Sequence, residues 1–430
     1  GMISIGLDLK RNTEIFYWST IEEANIAKQE VFSGSYLSAV DTLQSKLSVA
    51  VNSQMHADVP LGAFLSGGVD SSTIAALMQE QSSKKVKTFS IGFEDKRYNE
   101  AEHAKLVANH LGTDHHDMYV SSKDALNVLP LLPDMFDEPF ADSSQIPMYL
   151  VSKIAKSKVT VCLSGDGGDE LFGGYNRYLV ASKLWNKISK IPKPGKSVLA
   201  YLIKSLKPTV WDKISDLLYK NKYSNLGYKL HKGADSLQSK NIDDLYFNLI
   251  STIKNPTEWL INSEEHSNTN YNFDPKISGI ERMMIKDLVG YLPTDILTKV
   301  DRTSMAVSLE ARTPFLDKEI VKFALTLPEE YKIKAEVGKS VLRDVLYKYV
   351  PKDMIERPKM GFGVPLAEWM RGELRVWCED LLSEKKLNDD GFFNSKLIRE
   401  KWNEHLKGDV DWHHELWNVL IFQAWLENNR

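Results

Sequence analysis

Leu61–Met78 reads LGAFLSGGVDSSTIAALM: a short apolar run, a Ser-Gly-Gly-Val-Asp-Ser-Ser turn, and at once a helix-like pattern. The spacing predicts a strand, a tight glycine turn and a helix whose free N–H groups and dipole favour an anion. Ser66, Ser71 and Ser72 add hydroxyl donors around Gly67 and Gly68, so a phosphate can be cradled without the lysine of a Walker loop, which this turn lacks. Asp70 is the odd member. A carboxylate among phosphate oxygens makes sense chiefly when Mg²⁺ lies between them. The plainer reading is a βα turn with no ligand, its helix capped by Asp70 or Ser71.

Outward from this turn, strand-like segments alternate with helical ones: LGAFLS, the helix from Ser71, VKTFSIGF, the helix through EAEHAKLVANHLG, HHDMYV, the helix near SQIPMYLVSKIAKS, and VTVCLSG. Such alternation predicts an α/β fold built on a doubly wound parallel sheet, which binds ligands at the carboxyl ends of its strands. A second glycine-rich turn, SGDGGDE at Ser164–Glu170, also follows an apolar strand and should face the first. Its Asp166, Asp169 and Glu170 are costly like-charge neighbours unless cations or ligand amines compensate them. Asp169 is therefore the second candidate Mg²⁺ ligand.

Upstream, Leu37, Val40, Leu43, Leu47 and Val51 recur at helical spacing and predict an amphipathic helix over Tyr36–Met55. Residues 1–31 read as a tail, a linker or the remnant of a removed domain, residues 32–190 as the α/β core, and 191–430 as a mostly helical region. Lysines and aromatics are scattered through the uninformative stretch from Ile191 to Phe273.

Composition narrows the function. With 430 residues, 43% of them hydrophobic, the chain can bury a large core, and a net charge of −4 with pI near 6.3 gives no overall basic footprint for nucleic acid. Cys162 and Cys378 are too few for a sulfur-based metal site and suit a cytoplasmic protein. No apolar run nears the ~20 residues of a membrane span, so no membrane partner is expected. His115 and His116, adjacent on a strand, point to opposite faces and cannot chelate one ion. Trp412, Trp417 and Trp425 read as packing groups of the terminal helices.

Five segments in order, LSGGVDSS, SIGF, LSGDGGDELFGGYNRY, KVDRTSMAVSLEARTPFLD and RPKMGFGVPLAEWM, resemble the motifs of the asparagine synthase family, from about Phe32 to the chain end. The first resembles the pyrophosphate loop of N-type ATP pyrophosphatases, which implies an adenine-nucleotide α-hydrolase-like (HUP-type) sheet domain that cuts ATP between its α and β phosphates. The resemblance implies that Ser66–Ser72 grips pyrophosphate through Mg²⁺ on Asp70 and Asp169, that Leu65, Ile91 and Gly92 border adenine, and that Ser164, Gly165 and Arg302 contact the nucleotide. It places Lys359 as the transition-state cation and Asp166 near the attacking amine, where the family often has glutamate. It gives Arg312, Gly167 and Glu170 to the acceptor, Arg312 on a carboxylate and Glu170 on the α-amino group. Arg302, Glu310 and Arg312 also read as a surface ion network. The implied reaction is adenylation of a carboxylate, aspartate first, followed by attack of ammonia with release of AMP. A sugar uronic acid, an internal amine as in β-lactam synthetases, and a degenerate ATP-binding module are the alternatives.

Glutamine-using members begin with a glutaminase domain bearing an N-terminal cysteine. Here no cysteine precedes Cys162, and Gly1-Met2 resembles an expression scar. The expectation is a removed glutaminase domain, or a separate subunit, with free ammonia as the other source; a homodimer is compatible with the sequence.

Overall fold

Runs with apolar, β-branched and aromatic residues, bounded by turn residues, form four strands of the main sheet. In the computed structural model, which describes residues 2–5, 11–93, 100–206, 210–211, 214–215, 226–264, 271–356, 364–408 and 410–430, β1 (Met2–Ile5) and β2 (Arg11–Ile15) make an antiparallel pair. The five other described strands, β3 (Leu61–Phe64), β4 (Lys87–Phe93), β5 (Asp114–Val120), β6 (Val161–Leu163) and β7 (Glu310–Arg312), form one all-parallel sheet in the order β5-β4-β3-β6-β7. Flanking helices complete the α/β doubly wound architecture. From β3 the chain winds outward to β4 and β5, while β6 joins β3 on its other side, so the winding reverses between β3 and β6. A crevice outside the strand ends forms at such a reversal.

The predicted Tyr36–Met55 helix, α2, forms over those residues, with Leu43, Leu47 and Val51 fully buried. Part of the stretch read as a tail is instead structured. Thr20–Ala27 is helix α1, N-capped by the Ser19 hydroxyl, which accepts from the Glu22 N–H, and Ala24 and Ala27 enter the core. The Ser-x-x-Glu start was legible, but its small buried residues make a weak apolar stripe.

Two compact units divide the chain, and they interleave in sequence. The first comprises Gly1–Pro130, Ser144–Tyr175 and Thr269–Val364 and carries the sheet; the second comprises Leu131–Ser143, Asn176–Asn268 and Pro365–Arg430. Thus residues 269–364, which the sequence reading groups with the helical half, are compact with the sheet. The described second unit is helical, with Trp402 and Trp417 fully buried and a separate small core of Ile188, Ala200, Ala234, Leu237 and Leu245.

Candidate active site

The turn after β3 is shaped by a glycine and a hydroxyl network. Gly67 has a left-handed φ of 72°, and a side chain there would strike the backbone of His103 and Ala104 at 2.9 Å, where helix α4 (Ala101–Leu111) begins. Ser66 and Ser71 bridge hydroxyl to hydroxyl at 3.0 Å, and Ser71 Oγ accepts the Ser66 N–H at 3.1 Å. Helix α3 (Val69–Gln81) then starts from Gly68 with no side-chain cap hydrogen bond, so neither Asp70 nor Ser71 caps it.

The turn after β6 packs against this one. A Cβ on Gly168 would lie 2.4 Å from Asp70 Oδ1, so only glycine lets the two turns close this far. Asp70 and Asp169 thereby converge on one atom, the Nζ of Lys339, which ion-pairs with Asp70 and lies 2.8 Å from Asp169 Oδ1. Lys339 is 5% exposed and sits in left-handed backbone, φ 61°, at the start of the Ser340–Leu346 helix. Its N–H donates to the Phe172 carbonyl at 2.8 Å, fixing the loop to the end of the second turn. Burial alone would lower its pKa, but the two carboxylates raise it above the ordinary lysine value. A buried charge on strained backbone is a mark of a working site.

A cavity of about 280 Å³ opens over both turns, and all its lining residues belong to the first unit. Of the sequence-predicted residues, Leu65, Ser66, Gly68, Asp70, Ser71, Ile91, Ser164, Gly165, Asp166, Gly167, Asp169 and Glu170 line it. Gly67 and Gly92 lie in the same turn and strand without lining it, and Ser72 is buried beneath. Arg302 is exposed on the Thr298–Met305 helix and Arg312 is held on β7 by Glu310 at 2.7 Å and by the carbonyls of Gln54 and His56; neither lines the cavity. Lys359 lies outside the described residues.

Two lysines of the site are not singled out by the sequence. Lys339 arrives from 269 residues beyond Asp70 in a plain Gly-Lys-Ser stretch. Lys299 lines the cavity from the Thr298–Met305 helix and donates to Ser144 Oγ at 2.8 Å. It lies inside a quoted motif, where the nearby Arg302 draws attention instead.

The acids are tuned by their surroundings. Burial raises Asp166, against a hydrogen bond from Ser164 and the charge of Lys299. Burial pushes Glu170 up to about 7, while Tyr175 Oη donates to Glu170 Oε1 at 2.8 Å and acts in the other direction. No group of three or more His, Cys, Asp or Glu is arranged around a metal among the described residues. Two converging carboxylates suit Mg²⁺, which completes its shell with water and phosphate oxygens rather than with an all-protein cage. His115 is engaged by Thr88 and Ser90, and His116 stacks on Phe89, as structural side chains.

Fold and site together define an α/β protein with two glycine-rich turns and paired acids at the switch point of a parallel sheet. The profile of the asparagine synthase family matches residues 42–427, and the chain belongs to that family. It is 33% identical to a glutamine-hydrolysing asparagine synthetase of Bacillus subtilis over 382 residues, covering 87% of this chain and 57% of the relative. A putative enzyme of the same description from Mycobacterium bovis is 33% identical over 386 residues, covering 90% and 57%. The asparagine synthetase B of Escherichia coli is 34% identical over 150 residues, 31% of this chain and 26% of that one. The chain thus spans a little over half the length of its first two relatives. No described helix is long and apolar enough to cross a membrane.

Proposed function

We propose that the protein forms an amide at the expense of ATP, adenylating a carboxylate, L-aspartate first, with loss of pyrophosphate, and then admitting ammonia to release AMP. The observation that carries this reading is the convergence of Asp70 and Asp169 on Lys339 at the switch point. In it, the Ser66–Ser72 turn and the α3 N-terminus bind the β and γ phosphates, and Lys339 supplies the fixed cation that the turn itself lacks. Asp70 and Asp169 would hold Mg²⁺, which would supply charge neutralisation for the pyrophosphate. Leu65 and Ile91 border the base. Such preorganised positive charge is the main source of rate in phosphoryl and adenylyl chemistry.

Lys299 is the cation among the described lining residues and is offered to the acceptor carboxylate. Asp166 and Glu170, both lifted by burial, take up the proton released as ammonia attacks. A glutaminase domain or subunit is the proposed source of that ammonia, since the Bacillus subtilis relative is a glutamine-hydrolysing enzyme.

The test mixes protein, ATP, Mg²⁺, ammonium and a panel of carboxylates, and measures pyrophosphate and AMP. Aspartate should yield both in equal amounts. Turnover with a uronic acid but not aspartate would move the acceptor to that class, and ATP binding without turnover on any acid would overturn the enzyme reading.

A further inference from the structure

The net charge of −4 conceals a sharp asymmetry. Residues 183–240 hold thirteen lysines, no arginine, and three aspartates as their only acids, a net +10, so the other 372 residues carry −14. Within this stretch, Lys193–Lys204 forms a helix whose inner residues Ala200 and Ile203 pack on the small core of the second unit. At 3.6 residues per turn, Val198, Leu199, Tyr201 and Leu202 share an arc of roughly 160° on its other side. These four are exposed by 59, 40, 74 and 56%, and Leu206 beyond the helix end by 39%. Lys193 and Lys204 are exposed on the opposite, polar half of the helix, and Lys183, Lys187 and Lys190 are exposed in the segment before it.

Contiguous exposed apolar residues on a basic element mark an interaction surface, unlike apolar residues scattered singly. We infer that the Lys193–Lys204 helix is a docking face for an anionic lipid bilayer, lying in the headgroup plane with its aliphatic residues in the acyl boundary. Charge complementarity selects this occupant. An apolar face on one half of a helix and lysines, with no acid, on the other is the pattern by which interfacial helices meet anionic headgroups. The outward residues are largely aliphatic and arginine is absent, a poor platform for stacking nucleic-acid bases. A helix lying on a surface needs no spanning length, so the absence of a described spanning helix does not bear on it.

The test floats the full chain with vesicles of 30% phosphatidylglycerol in phosphatidylcholine and with pure phosphatidylcholine vesicles. Binding should be at least tenfold stronger to the anionic vesicles and should fall severalfold in 0.5 M NaCl. Leu202→Glu should cut it about tenfold, and Lys193→Glu with Lys204→Glu to a similar extent, with melting temperatures unchanged. Three results would overturn the inference: equal recovery with both vesicle types, undiminished binding of Leu202→Glu, or no vesicle binding alongside either polyuridylate binding or a dimer that Leu202→Glu dissociates. Neither ATP nor an acceptor enters the assay, so it stands or falls apart from the proposed reaction.

Discussion

The turns after β3 and β6 and the lysine-rich stretch from 183 to 240 put function into sequence in opposite ways. At the turns, each position meets its own demand, for Gly67 bends the chain, Gly168 admits Asp70, and Asp70 and Asp169 share one cation. Few residue types satisfy such demands, so short motifs reveal them. The lysine-rich stretch needs only charge and an outward apolar arc, which many sequences supply. It therefore leaves no motif and vanishes in a whole-chain average.

The comparison breaks most visibly if the turns tolerate change. Asp70→Asn should lower ATP-dependent pyrophosphate release at least a thousandfold while the melting temperature holds, because a neutral amide keeps the shape and loses the charge. Lys339→Met should reduce turnover about a hundredfold and destabilise the fold by roughly 3 kcal/mol, since two partly buried carboxylates lose their shared partner. Millimolar Mg²⁺ should recover part of that stability in a thermal melt; no recovery would argue against Asp70 and Asp169 as a metal pair.

A third variant probes burial without catalysis. Lys332 is buried beside Glu281 and Glu329, and burial pulls its pKa down to about 8. The unfolded chain keeps that proton to about pH 10.4, so between these values it binds more protons than the folded chain and stability rises with pH. Below pH 8 the full penalty applies, of order 3 kcal/mol. Lys332→Met should accordingly stabilise the protein at pH 7, by up to about 3 kcal/mol, and by less at pH 10, as chemical denaturation at the two pH values would report. The smallest effect belongs to the other region: Leu202→Glu should change stability by less than about 0.5 kcal/mol and leave turnover alone.

Much of this was legible. Four parallel strands declare themselves by apolar runs ending in turn residues, and both glycine turns fall at their carboxyl ends. Strand β7 did not, because Glu310-Ala311-Arg312 is three residues long and charged, and pairs only because β6 offers it an edge. Helix α1 hid behind small buried residues. Among the candidate site residues, most of those in the turns line the cavity, whereas Gly67, Ser72, Arg302 and Arg312 do not, and Lys339 came unannounced. A lone lysine has no local pattern; only the close approach of its loop to Phe172–Gly174 places it between the acids.

In the proposed function Asp70 and Asp169 bind the nucleotide through Mg²⁺. Titration calorimetry with an ATP analogue carrying a carbon bridge between the α and β phosphates tests it directly. Binding to the parent protein in Mg²⁺ should weaken at least tenfold in EDTA and equally in Asp70→Asn. The same affinity in all three experiments would contradict it.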